Sequence, residues 1–163
     1  MSVDATESKK VLVVDDDAWL RSLLAELLLD EGYRVREAAS GAEALDCVGA
    51  EPPDVVLLDV ALPHRSGLSV LDALRSADST RGIPVVLVSG EWNLFRTGFA
   101  SQATAALHKP LDLTALLECV ASVPFVPGSE RAVEALEAND GNTALGAEAG
   151  HLKAGAWEHG GSG

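Results

Sequence analysis

Val11-Leu12-Val13-Val14 runs straight into Asp15-Asp16-Asp17, and this junction decides the fold. Four apolar residues are too few for a helix. Because every position is apolar, rather than every second one, the run suits a strand covered on both faces, as in a parallel sheet. The pattern recurs downstream: the apolar run 55–58 ends in Asp59, 85–88 in Ser89, and the shorter 105–107 in His108, Lys109 and Pro110. A weaker strand is expected over 33–38, where Tyr33 and Val35 alternate with Arg34 and Arg36. Its polarity suits the edge of a sheet.

Helical periodicity fills the intervals. Leu20, Leu23, Leu24, Leu27 and Leu28 form one apolar stripe at i, i+3, i+4, i+7 and i+8, and Gly32 ends the helix they predict. Ser40 and Glu43 have capping-box spacing for a second helix running through Val48. Ser66 caps a third with Leu68, Leu71 and Leu74, and Asp112 caps one with Leu113, Leu116, Leu117 and Val120. Another helix is expected over about 91–100, interrupted by Gly98; its Trp92, Phe95 and Phe99 read as core or cover rather than a cofactor box. Strand and helix alternate five times, which predicts a single doubly wound α/β domain over 9–123. Pro124, Pro127 and Gly128 mark its end. Residues 124–163 read as an acidic, Gly/Ala-rich tail, partly disordered, with one short helix expected over 129–138.

A chain of 163 residues with 47% hydrophobic side chains can build one core. Its formal net charge of −13 repels phosphate backbones, which argues against a nucleic-acid partner. No apolar run approaches the roughly 18 residues that span a bilayer, and the N-terminal MSVDATESKK is polar, so no membrane insertion and a cytoplasmic location are expected. Cys47 and Cys119 stand far apart with no metal spacing and read as buried, reduced thiols.

In open parallel sheets, ligands bind beyond the carboxyl ends of the strands. That edge collects Asp15, Asp16, Asp17, Asp59, Ser89, His108 and Lys109. Singly, each has a plain explanation, since Asp or Ser after a strand often caps a helix and Lys before Pro is often a solvated loop charge. Convergence of four strand ends weakens that explanation. Clustered carboxylates repel one another unless a cation joins them, and an oxygen-only site favours Mg²⁺. A Lys ammonium and a Ser hydroxyl around one free carboxylate suit phosphoryl transfer to that carboxylate as nucleophile.

Four stretches, VLVVDDDAWLR (11–21), DVVLLDVALPHRSGL (54–68), IPVVLVSGE (83–91) and LHKPLDL (107–113), together resemble the response-regulator receiver domain of two-component signalling. The resemblance implies a (βα)5 flavodoxin-like fold with parallel sheet order 2-1-3-4-5. It implies that Asp59 is the phosphoacceptor and that Mg²⁺ is held by Asp16 directly, by Asp15 mainly through water, by Asp59, and by the backbone carbonyl of Ala61. Ser89 falls at the switch position and Lys109 at that of the Lys pairing with the acceptor, with a cis Lys109–Pro110 bond. Asp17 reads as a helix cap. The implied partners are a sensor histidine kinase or phosphotransfer protein as donor and a downstream protein target.

The chain also departs from the family. Ala106 replaces the usual aromatic three residues before the Lys, so the usual switch rotamer is absent, and the segment between Ser89 and Lys109 is short. Ala61 and Glu91 occupy the positions that tune water access to the acyl phosphate. The region after residue 124 is too short and acidic for a helix-turn-helix, so a stand-alone receiver that catalyses only its own phosphorylation and dephosphorylation is expected. Two rivals remain. One is a degenerate receiver acting as an interaction scaffold. The other is a haloacid-dehalogenase-like phosphatase using Asp15 as nucleophile and Asp17 as acid, which lacks a later acidic pair and leaves Asp59 idle. Trp19 is expected to pack against the sheet or a loop, and His64 to be a solvated loop residue.

Overall fold

The computed structural model describes residues 8–91, 93, 101–124 and 157. The elements are β1 (Lys10–Val14), α1 (Ala18–Asp30), β2 (Arg34–Ala38), α2 (Gly41–Ala50), β3 (Val55–Asp59), α3 (Gly67–Ser76), β4 (Val85–Ser89), β5 (Ala105–His108) and α4 (Leu113–Ser122). All strand pairs are parallel, in the order β2-β1-β3-β4-β5. The doubly wound sheet expected from the strand–helix alternation is therefore present. The helix expected over 91–100 lies almost wholly outside the described residues, as does the one over 129–138. Among the described residues no helix is long and apolar enough to cross a membrane.

The continuous apolar runs are explained by two cores. Leu12, Val14, Val56, Leu58, Val85 and Leu87 face one side, packed with α2 and α3 residues such as Ala44, Val48, Val70 and Leu71. Val11, Val13, Val55, Leu57 and Val86 face the other, against Leu24 and Leu28 of α1 and Leu116 and Val120 of α4. Each Val or Leu so buried contributes roughly 1.5–3 kcal/mol.

The helix starts follow the expected caps. Asp17 Oδ1 accepts from Trp19 N and Leu20 N, Ser66 Oγ from Ser69 N, and Asp112 Oδ1 from Thr114 N and Ala115 N. Ser40 Oγ accepts from Glu43 N, but the Glu43 carboxylate reaches one residue further back than a capping box requires, to Ala39 N at 2.7 Å. Gly32 follows α1 with φ +90°, a left-handed conformation that favours glycine. Lys9 Nζ donates to the carbonyls of Val120 and Val123, closing the C-terminus of α4 against the start of β1.

Three expectations need correction. Trp19 is not packed against the sheet: it is 73% exposed, because it lies off the face of α1 that carries buried Leu24 and Leu28. Cys47 and Cys119 are free but only half-buried, and burial raises both thiol pKa values, keeping them protonated. β2 does lie at the sheet edge, yet Arg36 is buried, with its guanidinium 5.3 Å from the ring centre of Trp157.

Candidate functional site

Backbone hydrogen bonds extend the strand ladders to the carboxyl edge of the sheet: Asp15 N donates to Ala38 O, Val60 N to Val88 O and Lys109 N to Ser89 O. Three strand ends thereby deliver side chains to one crevice. Ligand oxygens of Asp15, Asp16 and Asp59 lie within 4.8 Å of one another, with Asp15 and Asp59 buried and Asp16 exposed. Lys109 Nζ bridges the buried pair, 3.2 Å from Asp15 Oδ2 and 3.3 Å from Asp59 Oδ2. The Lys109–Pro110 peptide is cis.

The remaining oxygens of the buried pair have separate partners. Asp15 Oδ1 accepts from Asp17 N at 2.8 Å, and Asp59 Oδ1 from Ala61 N at 3.0 Å. Arg21 steadies the acidic loop from α1: its NH1 donates to Asp15 O at 2.8 Å while its Nε pairs with Glu37 of β2 at 3.2 Å. No reading of the sequence singled out Arg21; its place one turn into α1, after three acids, was the available signal. Behind Asp59, Gly67 N donates to Val60 O at 2.9 Å, drawing the start of α3 onto the end of β3.

Burial pushes the Asp59 carboxyl above its ordinary pKa and the Asp15 charge adds to this, against the hydrogen bond from Ala61 N and the Lys109 ammonium. Burial disfavours the Lys109 ammonium, but Asp59 and Asp15 outweigh it and hold its pKa above the usual lysine value. One ammonium thus faces three carboxylates. The excess negative charge and the all-oxygen donor set fit a hard divalent cation such as Mg²⁺, with exposed Asp16 on the solvent side.

The other named residues divide. Ser89 is buried at the end of β4, beside β3, and its Oγ accepts from Glu91 N at 3.0 Å; Glu91 itself is exposed. Ala61 and His64 are exposed in the loop after β3, with His64 at φ 64°. Ala106 is half-buried against the α2–α3 core, with only a methyl group where a ring would reach further. Asp17 is exposed and committed to capping α1, so it stands outside the cluster; this removes the acid that the phosphatase alternative requires. Trp92, Phe95 and Phe99 lie outside the described residues.

Comparison with known proteins points to one family. The family model for the response regulator receiver domain matches residues 11–121. The chain is 33% identical over 113 residues to sporulation initiation phosphotransferase F of Bacillus subtilis, covering 69% of this chain and 91% of that protein. It is 34% identical over 120 residues to the transcriptional regulatory protein PdtaR of Mycobacterium tuberculosis, covering 72% of this chain but only 57% of that protein. Among solved structures, response regulator TrrA from Thermotoga maritima, in complex with Mg²⁺ and BeF, superposes with a TM-score of 0.66 at 30% identity, covering 71% of this chain and 99% of that one.

Proposed function

The chain belongs to the response regulator receiver domain family, and we propose that it accepts a phosphoryl group on Asp59 from the phosphohistidine of a sensor kinase or phosphotransfer protein. The observation that carries this reading is the buried Asp59 held by Lys109 beside Asp15 and Asp16 at the carboxyl edge of the sheet. A carboxylate oxygen of Asp59 forms the new P–O bond as the donor's P–N bond breaks, with the bonding electron pair returning to the donor imidazole. Lys109 holds Asp59 in place and, once the acyl phosphate forms, is free to pair with its oxygens. Asp15, Asp16, Asp59 and the Ala61 carbonyl would hold Mg²⁺, which supplies charge neutralisation at the phosphoryl oxygens when bound. Ser89, one position beyond the level of Asp59 on the neighbouring strand, supplies the hydroxyl that turns towards the phosphoryl group, releasing Glu91 N. That release passes the signal into the segment after β4, because Ala106 offers no ring to move.

The output is binding of a downstream protein. The relatives support a signalling role and leave the target open: one is a sporulation initiation phosphotransferase, another a transcriptional regulatory protein. Incubation with acetyl phosphate and Mg²⁺ tests the reading. Wild type should incorporate one acid-stable, hydroxylamine-labile phosphoryl group and Asp59→Asn none. Equal labelling of the two would overturn it, and a wild type that neither labels nor binds beryllofluoride would favour the scaffold alternative.

A further inference from the structure

Trp157 lies far beyond α4 in sequence, yet it is 4% exposed and belongs to the core cluster that contains Ala38, Ala44 and Val48. Its indole lies over Arg36, 5.3 Å from the guanidinium carbon to the ring centre. Arg36 projects from β2 to the same side of the sheet as Ala38, and its NH1 makes a long 3.5 Å hydrogen bond to Cys47 O of α2. Among the described residues Arg36 forms no salt bridge. The charge of an arginine only 6% exposed needs compensation, and an aromatic face is a partner that supplies it in a desolvated setting.

We propose that the β2–α2 side of the sheet edge is an indole-binding seat, and that the chain's own C-terminal segment is its ligand, held through Trp157 on Arg36. The site is separate from the acidic crevice and does not depend on phosphoryl transfer. Chain length favours occupancy in cis. The sequence places 32 residues between 124 and 157, and a random coil of that length reaches roughly 30 Å, about the width of such a domain, with an effective concentration in the millimolar range.

The seat can be tested in the full chain. With Trp19→Phe and Trp92→Phe, only Trp157 emits. In the native protein its emission should be blue-shifted and its acrylamide quenching several-fold weaker than in urea, at every protein concentration. Urea unfolding of wild type, Arg36→Met, Trp157→Ala and the double variant should then show a coupling of about 5- to 30-fold in the unfolding equilibrium constant. Solvent-like quenching of Trp157 in the native chain, or strictly additive effects in the cycle, would overturn the proposal. Shielding that strengthens as protein concentration rises would place the indole on a second copy and overturn the intramolecular assignment. Should Arg36→Met fail to fold, the quenching comparison still decides.

Discussion

Gly67→Ala is expected to injure both the fold and the phosphoryl site, for a reason visible in one contact. A Cβ at position 67 would lie 2.2 Å from the Asp59 carbonyl oxygen, 2.8 Å from Val60 Cα and 2.9 Å from the Asp59 carbonyl carbon. Ordinary contact begins near 3.4 Å, so the end of β3 and the start of α3 must part by about 1 Å. All three obstructing atoms are backbone, and no side chain can turn aside. Parting also lengthens the 2.9 Å hydrogen bond from Gly67 N to Val60 O. Overpacking costs about 1–3 kcal/mol and the strained hydrogen bond about 1 kcal/mol. The higher helix propensity of Ala returns at most about 1 kcal/mol, so the net loss should be about 1–3 kcal/mol. Moving Asp59 by that distance should also slow its phosphorylation by about 100-fold. Urea unfolding followed by circular dichroism, and the rate of labelling by acetyl phosphate, measure the two effects. Gly49→Ala is the control: nothing lies within 4 Å of its added Cβ inside α2, so it should stabilise by about 0.5–1 kcal/mol. Wild-type stability and labelling rate in Gly67→Ala would refute the close approach of α3 to Asp59.

Three further outcomes are expected. Asp16→Asn should remove most Mg²⁺ affinity, because it takes away the exposed carboxylate of the cluster; equal titrations in variant and wild type would contradict the ligand assignment. In metal-free buffer, Asp59→Asn should stabilise the fold at pH 7. A carboxyl whose folded pKa is raised makes the fold lose stability as pH climbs from the unfolded value, about 3.9, through the folded one, so the gain should fade below about pH 3.9; a gain that persists at pH 3 would exclude Asp59 ionisation as its cause. Ala61→Asn should speed loss of the phosphoryl group by about tenfold or less, since an amide there can orient the attacking water; decay of phosphoprotein after donor removal, if unchanged or slower, counts against this.

Four of the five strands, all but β2, were legible because each has a short, continuously apolar run stopped by a polar residue, the pattern of a sheet covered on both faces. The caps were equally legible, since Asp17, Ser66 and Asp112 act on backbone groups two and three residues away. Arg36 was not. In the run Tyr33-Arg34-Val35-Arg36, alternation reads as one buried and one solvated face, and local pattern has no means of announcing that the cover for the second face is an indole 121 positions later. Trp19 failed in the opposite direction. An isolated large apolar residue near a helix start is usually buried, yet the α1 stripe that faces the sheet runs through Leu24 and Leu28 and leaves position 19 in solvent.

At the site, the residue types were legible and their connections were not. Three consecutive acids after β1 are equivalent in sequence, but backbone geometry divides them: Asp15 turns inward to Lys109, Asp16 remains at the surface of the cluster, and Asp17 turns to α1. That division follows from the end of a strand meeting the start of a helix, where successive side chains must point in different directions. Lys109 then meets Asp15 and Asp59 at nearly equal distances, so a single ammonium is shared between two buried carboxylates. Burial, with the Asp15 charge adding to it, keeps Asp59 above its ordinary pKa despite a cation at 3.3 Å. A lysine stretched between two leaves the crevice short of positive charge, and that shortage is what a divalent cation and a phosphoryl group together can balance.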